Sequence, residues 1–276
     1  MFELAHGADV PAHVAAKRHD EGVSQHLENQ VEVLYSYTVA TDSGFAPNPY
    51  FGVCTLACCK PALRRGVGRR LVRDSGIADL GELRKAQPGF VRSQNIWVLG
   101  LAGAALRDRP YRSVVYVMQV TDVLDFRSYF EEYPAKRPVR TAASSPSDPR
   151  WHGDAIYTGN DPSTARQMTP CAHSRGNAEN AQMKHHDLSG RFVLVSDHFC
   201  YFGKDAPPVP LEARLHHGRG HRCNYPTEVL RSLEALLNGP WAEYVDSGVP
   251  TRSGEASAMS CNSRASQIEC AVHKDC

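Results

Sequence analysis

Apolar and polar residues alternate most clearly over residues 31–40, where Val31, Val33, Tyr35, Tyr37 and Val39 occupy one face and Glu32, Leu34, Ser36, Thr38 and Ala40 the other. A period of two with one apolar face predicts a strand with one side buried. The pattern stops at Asp42-Ser43-Gly44 and Asn48-Pro49. Gly permits positive φ, Asp and Asn side chains bond nearby backbone, and Pro47 and Pro49 fix φ and remove donors, so a turn-rich loop follows. Phe45, Tyr50 and Phe51 ride on it. A loop with a carboxylate, tight turns and three aromatics predicts a binding loop, the alternative being aromatics that plug one end of a barrel.

Further along, residues 96–101 and 113–120 are rich in Val, Leu, Ile, Trp and Tyr and predict two core strands that pair. Phe126, Tyr129, Phe130 and Tyr133 recur at helical spacing behind a cap, Asp125, and Pro134 ends the run. Residues 134–153 read as a surface loop, 154–157 as a strand fragment, and 158–190 as a polar loop containing His173, His185 and His186. A strong apolar run, RFVLVSDHFCYF over residues 191–202, predicts one buried strand with Asp197 and His198 at its middle. Residues 211–223 carry Arg214, His216, His217, Arg219, His221 and Arg222, a segment whose charge depends on pH. Val229, Leu230, Leu233, Leu236 and Leu237 then define a helix that starts at Asn224 or Thr227 and stops at Gly239-Pro240. Residues 1–30 read as an extension and 246–276 as a disordered tail, leaving 31–245 as a single domain.

Composition narrows the possible functions. A net charge of +1 excludes the global field of a nucleic-acid coat protein. The charge is local instead: residues 60–92 hold nine basic against three acidic side chains. There Ile77, Leu80 and Leu83 predict a short helix capped by Asp74 or Ser75, with Gly66, Gly68 and Gly76 in flexible flanks. Such a run is either solvated surface or a phosphate-contacting face, with Arg64, Arg65, Arg69 and Arg70 as the contacts. No apolar run approaches the roughly 18 residues of a membrane span, and residues 1–20 lack the layout of a secretory signal, so a soluble cytoplasmic protein is expected. Nine cysteines, an odd number, predict reduced thiols. Cys54, Cys58 and Cys59 have near-ligand spacing but lack a second pair, and they are read as small buried hydrophobes with no metal assigned. Phosphate-loop, dinucleotide, zinc-protease and serine-elbow motifs are absent from the sequence.

Several stretches carry a family resemblance: YSYTVATDSGFAPNPYFGVCTLACCKP, VVYVMQVTD before FRSYF, DAIY, and GRFVLVSDHFCYFGKDAPPVP. Over residues 31–210 the chain resembles the second of the nucleotide-modification-associated domains of bacteria and phages. It departs in the basic insertion at 65–93, and in Asn95-Ile96-Trp97, where relatives have a Gly-Asp-Trp turn. The resemblance implies an α+β fold, a compact curved mixed sheet or a PUA-like barrel with short peripheral helices. It implies a base-modification system, phage defence among its settings, and a nucleotide or nucleic acid as partner, DNA before RNA, beside other proteins of a modification operon. It names no cofactor. An enzyme would use Asp42, Asp197 or His198 as acid or base, with Ser43, Phe45, Asn48, Tyr50, Tyr157 and Tyr201 around the base. The alternative is a reader of modified bases that does no chemistry.

Overall fold

The computed structural model describes residues 29–108, 110–209, 215, 218 and 220–242. Most of the terminal extension and the whole tail, as well as Arg109 and most of the His- and Arg-bearing segment, lie outside the described residues. The fold is mixed α+β. A five-stranded sheet has the order β7-β4-β3-β1-β8 and a three-stranded sheet the order β2-β6-β5; no closed barrel forms among the described residues. The strands are β1 (Val33–Val39), β2 (Cys54–Leu56), β3 (Ile96–Ala102), β4 (Val114–Gln119), β5 (Asp122–Leu124), β6 (Val193–Ser196), β7 (Phe199–Tyr201) and β8 (His221–Arg222). β3 and β4 pair, as the apolar runs predict; they run antiparallel, and β1 lies parallel to β3 from Val33 opposite Ile96 to Val39 opposite Ala102.

The large sheet is covered on both faces. Its β1 side chains Val33, Tyr35, Tyr37 and Val39 pack with Leu63, Val67 and Leu71 of helix α1 (Pro61–Ser75). Leu34, Trp97, Leu99 and Val117 pack on the opposite side with Leu233 and Leu237 of helix α6 (Thr227–Leu237). The expectation of one buried face on β1 is therefore corrected: α6, almost two hundred residues away in sequence, covers the second. A third cluster joins the small sheet to helix α4 (Phe126–Glu132), which Asp125 caps as predicted by accepting from the Ser128 N–H.

The basic stretch is more ordered than its glycines imply. α1 starts at Pro61, whose fixed φ suits the first helical position, and runs through both Gly66 and Gly68. An interior glycine costs about 1 kcal/mol. Each fully buried Leu or Val returns roughly 1.5–3 kcal/mol, so Leu63, Val67 and Leu71 outweigh the two glycines. Gly68 has its own reason, because a Cβ there would meet the Phe192 ring at 2.1 Å. Helix α2 (Leu80–Ala86) is capped by Asp79, one turn later than expected, and α3 (Phe90–Ser93) follows. Arg84 ties this segment to the sheets by reaching Glu132 and Asp122, each at 2.9 Å.

Residues 191–202 do not form one strand. Ser196 turns the chain by donating to the His198 carbonyl and accepting from the His198 N–H, so β6 joins the small sheet and β7 the large one. Asp197 and His198 thus occupy a tight link between sheets instead of a strand centre. The polar loop 158–190 is likewise structured, with helix α5 (Ala181–Leu188) capped by Asn180.

Arg64 is fully buried. Its guanidinium donates to the carbonyls of Cys59 (2.9 Å), Phe192 (2.6 Å) and Asp187 (2.6 Å). It is an internal strut, which corrects its reading as a phosphate contact. Arg64→Met strands three buried carbonyls and is expected to lower stability by at least about 3 kcal/mol, whereas exposed Arg69→Glu changes it by under about 0.5 kcal/mol. Urea denaturation with a shared m-value checks the contrast.

Candidate functional site

The structure brings some of the residues predicted to form one site together and parts others. Asp197 is exposed, pairs with Arg92 and donates its N–H to Thr121. His198 turns to Asn29 and packs edge-on against Trp97. Asn48 is buried and spent: its amide donates to the His152 carbonyl at 2.9 Å, and its Oδ1 accepts from Lys136 and from the Tyr50 N–H. Tyr157 is buried and donates to Asp187. Asn48 and Tyr157 are therefore framework, which corrects their reading as base contacts. Asp42 and Tyr201 do meet, the phenol donating to the carboxylate. Burial first, then the Asp42 charge, hold the Tyr201 phenol well above its ordinary value, so it remains a donor. Ser43 and Tyr50 are half-buried on the loop, and Tyr50 stacks on His152. Phe45 is buried with its ring centroid 4.7 Å from that of His173.

That last contact leads to chemistry the sequence reading passed over. Cys59 sits in the turn between β2 and α1, half-buried and with φ at 59°, and Lys60 follows at φ 43°. Two successive non-glycine residues in the left-handed region are costly backbone. The turn is held from inside: the Cys59 carbonyl accepts from Arg64, and its N–H donates to Asp187 Oδ1 at 2.9 Å. Cys59 Sγ lies 3.6 Å from His173 Nε2, and His173 Nδ1 lies 2.6 Å from Asp187 Oδ2. A nucleophile, a base and an orienting carboxylate thus stand in line, the geometry by which an imidazole takes and returns a proton. His173 and Asp187 are buried, and Cys59 is half-buried, the most accessible of the three residues.

The electrostatics suit that role. Burial alone would lower His173, yet the Asp187 carboxylate and Cys59 outweigh it and hold the imidazole well above its ordinary value. Burial alone would raise Asp187, but His173, Arg64 and the Cys59 N–H hold the carboxyl low. The site therefore strengthens His173 as a base and favours the imidazolium it becomes once it holds the thiol proton, beside an ionised carboxylate. Lys60 places its ammonium 4.9 Å from the Tyr37 ring centroid, with no carboxylate in salt-bridge range among the described residues, and burial lowers its pKa. Cys58, His173 and Asp187 also have ligand atoms within 4.8 Å of one another. A cation there would displace the proton between His173 and Asp187 and lie near the Arg64 guanidinium, so the donor set favours the relay.

The loop 42–51 is pinned from beneath. Lys136, fully buried, donates to the Asn48 and Val53 carbonyls, to Asn48 Oδ1 and to Thr55. Asp154 accepts from Thr55 and Tyr129. Burial pushes Asp154 up to about 6 and Lys136 down to about 8, so both are charged near neutrality. On another face, a cavity of about 460 Å³ is lined by Arg70, Arg222 and Tyr225, with Arg222 stacked over Tyr225. Arg70 stands about 15 Å along α1 from the Cys59 end.

Spacing hid the triad. Cys59, His173 and Asp187 are scattered, two of them in a loop that reads as polar surface, and Cys59 reads as one of three small hydrophobes. The available signal was local: a short strand, four residues, then Pro61 opening a helix.

Residues 31–70 and 91–255 of the chain match the family model described as nucleotide modification associated domain 2. The unmatched stretch lies inside the basic insertion. No curated protein and no solved structure gives a significant match.

Two outcomes are expected. Iodoacetamide should label Cys59 first among the described free thiols, since Cys54, Cys58, Cys171 and Cys200 are buried and burial raises the first three, Cys54 to about 12. Peptide mapping over time checks the order, and equal labelling of Cys58 would deny Cys59 its special status. The His173–Asp187 pair should stabilise most between pH 3.8 and 6.5, the two ordinary values. The depressed carboxyl loses its contribution as pH falls through its folded pKa, and the raised imidazole loses its own as pH climbs above 6.5 through its folded pKa. Urea midpoints of His173→Gln against wild type across pH report this as a deficit that shrinks at both ends.

Proposed function

Because the chain belongs to the nucleotide modification associated domain 2 family, we propose that residues 31–245 form an enzyme that binds a nucleotide base and modifies it through a covalent bond to Cys59. The observation that carries this reading is the line from Cys59 Sγ through His173 to Asp187. A reader of modified bases needs aromatic faces and hydrogen-bond donors but has no use for a thiol relayed to a buried carboxylate.

In this reading His173 takes the Cys59 proton and Asp187 holds the imidazole in place and stabilises its charge. Phe45 packs against His173 and contributes the apolar wall beside the thiol. Asp42 and Tyr201 offer a paired acceptor and donor for a base edge. Tyr50 and Ser43 stand on the same loop, and the buried Lys136 network fixes that loop's position. Lys60, whose ammonium has no carboxylate in salt-bridge range among the described residues, suits an anionic group of the substrate such as a nucleotide phosphate.

Nucleosides digested from cells that carry the wild-type protein, the Cys59→Ser variant or none should be compared by mass spectrometry. A modified or processed nucleoside should depend on the wild-type thiol and vanish with Cys59→Ser while the protein level stays constant. Persistence with Cys59→Ser would remove the thiol from the mechanism. Lys60→Met should raise KM at least tenfold while changing kcat less, if its role is to pair with a substrate anion.

A further inference from the structure

Resting on the thiol reading above, we infer that Cys59 attacks a carbonyl: the reaction is acyl transfer through a thioester, and the substrate is an amide or ester group attached to a nucleotide or base, not a ring carbon. The geometry supports this by the position of one atom. His173 Nε2 lies beside the sulfur, where the proton it takes can be returned only to a group leaving the carbon that the sulfur has attacked. Addition of a thiolate to a pyrimidine ring expels no leaving group and needs its acid at the distant ring oxygen. A proton shuttle at the sulfur, oriented by a fully buried carboxylate, matches displacement at a carbonyl.

The steps balance without any redox partner. His173 Nε2 takes the thiol proton, and the thiolate forms an S–C bond as the carbonyl π pair moves to oxygen. The carbonyl re-forms, the C–N or C–O bond breaks, and the departing amine or alkoxide takes the proton from Nε2. Water or a second amine then gives a proton to Nε2 and attacks the thioester. The C–S bond breaks and the thiol recovers its proton. The net change exchanges one acyl acceptor for another. Fixing Cys59 at a positive φ serves this, since Arg64 and Asp187 both grip the residue's backbone and leave its side chain as the movable part.

The purified full chain is tested with two small probes. Iodoacetamide reports the nucleophile alone, and p-nitrophenyl acetate reports the carbonyl reaction. The expected result is one equivalent of rapid p-nitrophenolate release. A 42 Da adduct (the mass of an acetyl group) should appear on Cys59, removable by hydroxylamine and absent in Cys59→Ser. Acylation should fall about 100-fold in His173→Gln. Turnover should lose its alkaline limb at lower pH in Asp187→Asn, because the carboxylate that holds His173 up is gone. Should His173→Gln fail to fold, the wild-type and Cys59→Ser comparison still decides. Fast alkylation of Cys59 with acylation no faster than free cysteine overturns the acyl class while leaving the thiol reading standing. Alkylation no faster than free cysteine overturns both.

Discussion

One buried guanidinium sets the geometry on which the rest depends. Arg64 lies in the first turns of α1, yet its donors go to the carbonyls of Cys59, Asp187 and Phe192. It therefore joins the turn that carries the thiol, the helix that carries the orienting carboxylate and the entry to β6. Gly190 is a consequence, since a Cβ there would meet the guanidinium at 2.5 Å. A buried cation is tolerable only when its hydrogen bonds are complete and a negative charge is near, and Asp187 supplies that charge. The same carboxylate accepts from Tyr157, His173 and the Cys59 N–H. Folding and the chemistry proposed for the thiol thus share one set of polar contacts.

A second buried network, around Lys136 and Asp154, does for the aromatic loop what Arg64 does for the thiol. Four acceptors take up the Lys136 ammonium, and two of them belong to Asn48. The loop that bears Asp42, Phe45 and Tyr50 is in this way fixed to the small sheet, and Phe45 is held against His173. The two networks meet across β2, whose ends lead to Asn48 on one side and Cys59 on the other. Rigid support on both sides of a strained turn is how a fold keeps a reactive side chain in place at a cost of a few kcal/mol.

The link between the sheets shows how the reading of an apolar run can mislead. RFVLVSDHFCYF has the hydrophobicity of a continuous buried strand, and Asp197 and His198 look like polar groups forced into a core. In the fold Ser196 bonds both ways across that dipeptide, so the polar pair lies at a turn where Arg92 and Asn29 satisfy it. The thiol expectation also fails at one place: Cys223 is disulfide-bonded. The other described cysteines are free.

Sequence alone determined the parts whose cause is local. Alternation fixed the faces of β1, apolar runs located β3 and β4, and an Asp before an aromatic stripe located α4, because side-chain period and capping act within a few residues. The motif-bearing stretches also determined the family. Tertiary structure decided what depends on contacts between distant segments: that α6 closes the second face of the sheet, that Arg64 points inward while Arg69 points out, and that Asp197 leaves the site. It also decided the site itself. Cys59 lies more than a hundred residues from His173 and Asp187, and a triad is defined by angstrom distances and by the opposing pKa shifts of His173 and Asp187, which exist only once folding has buried that pair together.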